Sequence, residues 1–289
     1  MINLAIGKLD IVLTGIKKEQ IPVNTLLFQS DKQEPDLTYT FHFENKLASS
    51  IFYPIIYQTS DIIIFRKPNN CEARLLYLPT THDCYAYYEE INEQEINIYV
   101  NKNYEYQLNI DTIFISLLAL ERHSARHNSF ILHCAYMEFN NKAILFSGPS
   151  GIGKSTHSNL WCKYFPQKAT MINGDKCLLT QENNKLFANG WPVCGSSEIC
   201  KNEKKEVAAI ILLQQAPTNQ LITEKPISYF KKLLAQTTIN YWNHTYLNYA
   251  MSFLETILQK TGCITYACNI SEEAVLKLYN EIKKEKWIY

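Results

Sequence analysis

Through the first part of the chain, apolar residues gather in short runs separated by polar or proline-containing stretches, the spacing of strands. Residues 11–13, 38–43, 51–57, 62–65 and 75–78 are such runs; Lys32-Gln33-Glu34-Pro35 and Lys67-Pro68-Asn69-Asn70 are two of the breaks. The tyrosine-rich stretch 85–106 continues the pattern, with Ile96, Ile98 and Val100 alternating in period two. A helix is then predicted from Asp111-Thr112, either of which could cap it, with Ile113, Phe114, Leu117, Leu118 and Leu120 on its apolar face. The change of character places a boundary near residue 110, between a β-rich N-terminal domain, 1–110, and a second domain, 111–289.

In the second domain 130–139 and 142–147 read as strands joined by Asn140-Asn141, a pair that tolerates the positive φ of a two-residue hairpin. Residues 155–164 read as a helix, and 169–173 and 207–213 as core strands. Helices are predicted over 227–237 and 244–260, the second ended by Gly262. A last strand, 263–268, precedes a helix capped by Ser271 that runs into the charged tail.

Composition narrows the function. The chain has 289 residues, with 28 Lys plus Arg against 28 Asp plus Glu, so no net charge draws it to nucleic acid. Hydrophobic residues at 46% and charged residues at 19% argue against disorder. Only four arginines occur, Arg66, Arg74, Arg122 and Arg126, so bidentate cations are missing after residue 126. No apolar run has the length of a membrane helix, and Lys8 and Asp10 interrupt the only apolar stretch at the start, which speaks against a secretory segment. The nine cysteines form no CxxC pair, so neither a zinc knuckle nor a dithiol redox motif is expected. A cytoplasmic protein with reduced thiols is the expectation.

The strongest motif is Gly148-Pro149-Ser150-Gly151-Ile152-Gly153-Lys154-Ser155, which fits G-x-x-x-x-G-K-[ST] between a predicted strand and a predicted helix. Its glycines let successive amides turn inward on phosphates, and the helix N-terminus adds positive potential. Gly148, Ser150, Gly151, Ile152, Gly153, Lys154, Ser155 and Thr156 are the candidate ATP-binding residues. Lys154 would reach the β- and γ-phosphates, and the Ser155 hydroxyl would join the shell of Mg²⁺. A glycine-rich turn without a ligand is the plain alternative.

Asp175 follows a short apolar run close after the loop, where a carboxylate could hold the metal or take the acceptor's proton. A turn aspartate after Asn173-Gly174 is the alternative. His133 lies on the strand that the hairpin sets beside the loop strand; a hydrogen-bonded strand histidine is equally in keeping. His123 and His127 stand i, i+4 on a helix, but no carboxylate motif accompanies them and Arg122 and Arg126 flank them, which disfavours a metal there. In the segment 190–202, Gly195, Ser196 and Ser197 could form a backbone nest with two hydroxyl donors, and Glu198 and Lys201 could join an acceptor site. A structural loop is the alternative reading of that segment.

The run 131–133, the hairpin, 148–156, Ile172-Asn173-Gly174-Asp175-Lys176 and Gly195-Ser196-Ser197 together resemble the HPr kinase/phosphorylase-like, PEP-carboxykinase-like P-loop proteins of bacteria. Within these, the chain looks most like kinase-like members with a β-rich N-terminal region. The resemblance covers roughly residues 130–215. It implies an α/β (α+β) fold whose core sheet is mixed and partly antiparallel, with flanking helices, and ATP-dependent phosphorylation of a serine hydroxyl. By the same resemblance His133 stands near the transferred phosphoryl group, and Asp175 matches one of a pair of acids. The pair's second carboxylate is missing here, which argues against reverse phosphorolysis. The C-terminal Arg- and Gly-rich signature is absent too, which argues against HPr as acceptor.

Related kinases of ribosomal-peptide pathways keep a peptide serine open, and related oligomers keep a homo-oligomer open. The expected acceptor is therefore a protein, peptide or small-molecule hydroxyl, with Asp175, His133 and Lys154 as catalytic residues and no nucleic-acid or membrane partner. A shikimate-type kinase is disfavoured by the 147 residues before the loop and the lack of lid arginines. A carboxykinase is disfavoured by the same lack. A nucleotide-sensing module with little turnover is the rival from another class.

Overall fold

The computed structural model describes residues 1–32, 34–47, 51–285 and 287. Gln33 of the first expected break and tail residues 286, 288 and 289 lie outside the described residues. The chain divides into two compact units, Met1–His123 and Ser124–Tyr289.

In the first unit β1 (Ile2–Ile6) and β2 (Leu9–Thr14) make an antiparallel pair, and a short helix, α1 (Val23–Leu26), leads to β3 (Leu37–Glu44). The strands β4 (Ile55–Gln58), β5 (Ile62–Arg66), β6 (Glu72–Tyr77), β7 (Cys84–Glu90) and β8 (Glu95–Asn101) form an antiparallel meander. β3 runs parallel to both β2 and β8, giving the order β1-β2-β3-β8-β7-β6-β5-β4. The period-two alternation holds: Ile96, Ile98 and Val100 are all buried. The run expected over 51–57 is a strand only from Ile55.

The single helix expected from residue 111 is two, α2 (Asp111–Leu117) and α3 (Leu120–Arg126), with Ala119 between them at φ 47°. Ile110 occupies the capping position without a side-chain bond, and Asp111 is already helical, its Oδ2 accepting from Asn24 Nδ2 at 2.8 Å. Two of the scarce arginines are spent in this unit. Arg122 Nε donates to Glu90 Oε1 at 2.6 Å and Nη1 to Glu72 Oε1 at 2.9 Å; Arg74 Nη1 donates to Glu121 Oε1 at 2.6 Å. Burial works to raise the Glu90 carboxyl, and Arg122 outweighs it, leaving the group below its usual range. His123 is buried in the same cluster, its Nε2 2.9 Å from the Tyr88 hydroxyl.

The second unit begins with β9 (Ser129–Phe139), β10 (Lys142–Ser147), α4 (Lys154–Tyr164), β11 (Ala169–Asn173), β12 (Lys176–Glu182) and β13 (Lys185–Asn189). It continues through β14 (Lys204–Gln215), β15 (Gln220–Ile222), α5 (Pro226–Gln236), α6 (His244–Lys260), β16 (Gly262–Cys268) and α7 (Glu272–Lys284). Asn140 and Asn141, at φ 49° and 64°, make the expected hairpin turn between β9 and β10. Asn183 and Asn184 make another between β12 and β13, at φ 48° and 63°. Gly262 opens β16; the residue closing α6 is Thr261 in an extended conformation, so no left-handed glycine cap is present there.

β9 serves two sheets. Its first half, from Ser129 to His133, pairs with β12, and its second half, from Cys134 to Phe139, pairs with β10. β14 does the same, pairing with β13 through Lys204–Glu206 and then with β10 and β16 in parallel. The strands β9, β12, β13, β14 and β10 therefore close into a circuit, and His133 sits where β9 passes from one sheet to the other. The fold is α/β with a mixed, partly antiparallel core sheet. β10 shows why its sequence is a continuous apolar run: Ala143 and Leu145 face a core shared with α5 and α6, and Ile144 and Phe146 face one shared with α4 and α7. Each Leu- or Phe-sized side chain so buried contributes roughly 1.5–3 kcal/mol.

Candidate functional site

β10 delivers the chain to Gly148, and the glycine loop turns it into α4. Gly151 and Gly153 have φ 78° and 103°, backbone that side chains with a Cβ rarely adopt. Gly148 is constrained by space as well, since a Cβ there would lie 3.3 Å from the Leu213 carbonyl oxygen. Lys154 is the first residue of α4 and is only 7% exposed. Its Nζ donates to the carbonyls of Gly148 at 3.0 Å and Pro149 at 3.1 Å, so the ammonium is held inside the loop it belongs to. Burial lowers its pKa, and the charge of Asp175 partly restores it.

His133 and Asp175 are brought together by register. The Cys134 amide donates to the Asp175 carbonyl at 3.0 Å, His133 pairs with Lys176, and the Ser147 hydroxyl donates to the His133 carbonyl at 2.8 Å. The last link ties the end of the loop strand to the histidine. His133 Nε2 then lies 3.4 Å from Asp175 Oδ1, and Lys176 Nζ lies 3.5 Å from Oδ2. The histidine contact, first among the causes, holds the Asp175 carboxyl below its usual range against the opposing effect of burial, with Lys176 assisting.

Asn173, quoted in the sequence only as part of the turn before Asp175, is central to that turn. Its buried side chain accepts from the Asp175 amide at 2.9 Å and the Lys176 amide at 3.0 Å, an Asx arrangement that sets Asp175 at the strand end. Its Nδ2 donates to the carbonyls of Trp191 at 2.8 Å and Val193 at 3.0 Å, pinning the 190–202 segment beside it. The Ser155 hydroxyl donates to the Gly174 carbonyl at 3.0 Å, bridging α4 to the same turn.

A cavity of about 270 Å³ opens among these groups. Ser150, Gly151, Gly153, Lys154, Ser155 and Thr156 line it from the loop, with His133, Gly174, Asp175 and Ser196 opposite. Gly148 and Ile152 face neighbouring cavities. Ser196 is the member of the 195–201 group that lines this cavity. Gly195–Ser197 is a 3₁₀ turn, not a nest with two available hydroxyls, because the Ser197 hydroxyl donates to the Cys194 carbonyl at 2.7 Å. Gly195 packs on Asp175, where a Cβ would lie 3.1 Å from the Asp175 Cβ. Glu198 is exposed at φ 55°. Lys201 acts through its backbone, its amide donating to the Ile172 carbonyl at 3.1 Å and its carbonyl filling the space a Gly190 Cβ would need.

Two residues without any sequence signal complete the surroundings. Gln236, the last residue of α5, places its Oε1 3.2 Å from His133 Nδ1. Its position is fixed because Thr237 pairs with Leu132 and the Thr238 amide donates to the Ile131 carbonyl at 2.9 Å. His157, on α4, is buried against Phe146 and Tyr266, accepts from Trp161 Nε1 at 3.3 Å, and has its pKa pushed down by burial to about 4. It borders a larger cavity of about 510 Å³ whose other walls include Ile152, Leu213, Pro217 and Ile270, with Gln215 and Asn269 at its edge. Oxygen donors from Ser155 and Asp175 on one cavity are the hard ligands a magnesium ion takes, beside phosphate oxygens and water.

No family model matches the chain, and no curated protein matches it. Among solved structures it is similar to the Hpr(Ser) kinase/phosphatase from Coxiella burnetii, at 16% identity and a TM-score of 0.31, over 54% of this chain and 98% of that one. No helix among the described residues is long and apolar enough to cross a membrane.

Proposed function

We propose that the chain is a Mg-ATP-dependent kinase that transfers the γ-phosphate to a hydroxyl, that of a serine in a protein or peptide. The observation that carries this reading is the convergence of the loop, Lys154, Ser155, Asp175 and His133 on one cavity of about 270 Å³. The loop amides and the Lys154 ammonium bind and orient the phosphates, replacing the carbonyl contacts that Lys154 now makes. Ser155 and Asp175 would hold magnesium, which neutralises charge on the phosphate oxygens when bound. Asp175, ionised at neutral pH, receives the acceptor's hydroxyl proton, and His133 steadies the carboxylate. The larger cavity beside His157 has the apolar walls and polar edge that suit a nucleoside.

The test is calorimetric titration with Mg-ATP for the wild type and Lys154→Ala, followed by transfer of labelled γ-phosphate into extracts of the source cell. Saturable binding that Lys154→Ala weakens, and a labelled product that disappears with Asp175→Asn, are expected. Absence of Mg-ATP binding by the wild type removes the reading.

A further inference from the structure

Beside Gly148 and Pro149, whose carbonyls hold the Lys154 ammonium, lies a smaller cavity of about 250 Å³. Pro149, Ile152, Leu212, Leu213 and Ala235 give it apolar walls, and Gln236 also lines it. Gln236 is also the residue that meets His133 Nδ1, so this cavity adjoins the candidate proton-handling pair while the larger, nucleoside-sized one does not. Ile152 and Leu213 separate the two.

Charge limits what this cavity can hold. Its cation, Lys232, is paired with Glu224 and also donates to Thr265 Oγ1 at 3.3 Å. No arginine is among the described residues that line it. A small anionic metabolite would leave its carboxylate or phosphate without a counter-charge there, at a cost in desolvation. An apolar side chain would bury its surface at no such cost.

We propose that this cavity is the acceptor subsite and receives an apolar side chain next to the reacting serine, so that the acceptor is a peptide segment and not a free hydroxy metabolite. The inference rests on the kinase reading. With the side chain seated, the serine oxygen bonds the γ-phosphorus and the bond from that phosphorus to the β–γ bridging oxygen breaks. ADP leaves, and the hydroxyl proton passes to the Asp175 carboxylate.

The test presents the full chain with magnesium, γ-labelled ATP and a serine-centred peptide library in which each neighbouring position is fixed in turn. Peptides with Leu, Met or Phe at one neighbouring position are expected to take about tenfold more label than those with Asp or Lys there. Ala235→Phe, a change at an exposed position of α5 that fills the cavity, is expected to raise KM for the best peptide about tenfold. Even labelling, a preference for charged neighbours, an unlabelled library, or an unchanged KM in Ala235→Phe overturns the inference. Mg-ATP binding by the wild type, measured separately, distinguishes the failures. Where it is present only the acceptor assignment falls; where it is absent the kinase reading falls with it.

Discussion

His133 Nε2 meets Asp175 Oδ1 at 3.4 Å because two strands that are distant in sequence are locked in register by the Cys134 amide on the Asp175 carbonyl. The contact survives only if both side chains are retained, but the backbone register does not depend on either. Asp175→Asn should therefore fold normally and lower phosphoryl transfer by about 10²–10⁴-fold, the range for loss of a general base. Steady-state transfer rates with Mg-ATP, alongside circular dichroism of the variant, check this.

Lys154 is held by two loop carbonyls. Lys154→Ala should weaken Mg-ATP binding by about 10- to 100-fold, the worth of one charge-assisted contact. Calorimetry measures it directly. Equal affinity in variant and wild type would show that the ammonium does not reach the nucleotide.

His157 gives a pH dependence of defined sign. The unfolded chain takes up the imidazole proton near 6.5, while the folded protein does so only at about 4. Between these values the unfolded state binds more protons, so stability is fully present above the upper value and falls as the pH drops. Acidification from pH 6.5 to 5 should cost about 2 kcal/mol from this group, at roughly 1.4 kcal/mol per pH unit. Urea midpoints at the two pH values, for the wild type and His157→Gln, check the assignment: the difference should shrink in the variant.

Gly190 faces backbone, not a movable side chain. A Cβ there would lie 2.1 Å from the Lys201 carbonyl oxygen. Gly190→Ala should cost about 3 kcal/mol or more and displace the segment that Asn173 pins. A lowered urea midpoint with an unchanged slope is the expected result.

In the first unit Arg122 is fully buried between Glu72 and Glu90. Arg122→Met should leave two carboxylates poorly compensated and destabilise this unit by about 3–5 kcal/mol. Thermal unfolding of the variant reads the loss.

Strong local patterns were legible in the chain: the β9–β10 hairpin, the loop and helix α4, and the long helices α5 and α6. Asn183-Asn184 carries the same turn signal as Asn140-Asn141, but the runs flanking it are short and mixed in polarity, so the strands of the β12–β13 hairpin are less legible than its turn. The break at Ala119 carries no signal at all, since alanine is the strongest helix former and only tertiary packing sets its φ to 47°. Gln236 belongs to the same class. Its neighbour His133 comes from the pairing of Thr237 with Leu132, which no local pattern reports. The arginine shortage has a structural counterpart: Arg74 and Arg122 are committed to buried carboxylates, and Arg126 donates to the Tyr246 hydroxyl at 2.7 Å.

The sharing of β9 and β14 between two sheets bears on how the second unit comes apart. In an open sheet an edge strand can peel away alone, but in a closed circuit releasing one seam leaves each strand fastened along the other. Amide hydrogens of residues 133, 134 and 144–147 should accordingly exchange with solvent only in the slowest, global opening, so the groups that would handle phosphate and proton share the lifetime of the core itself.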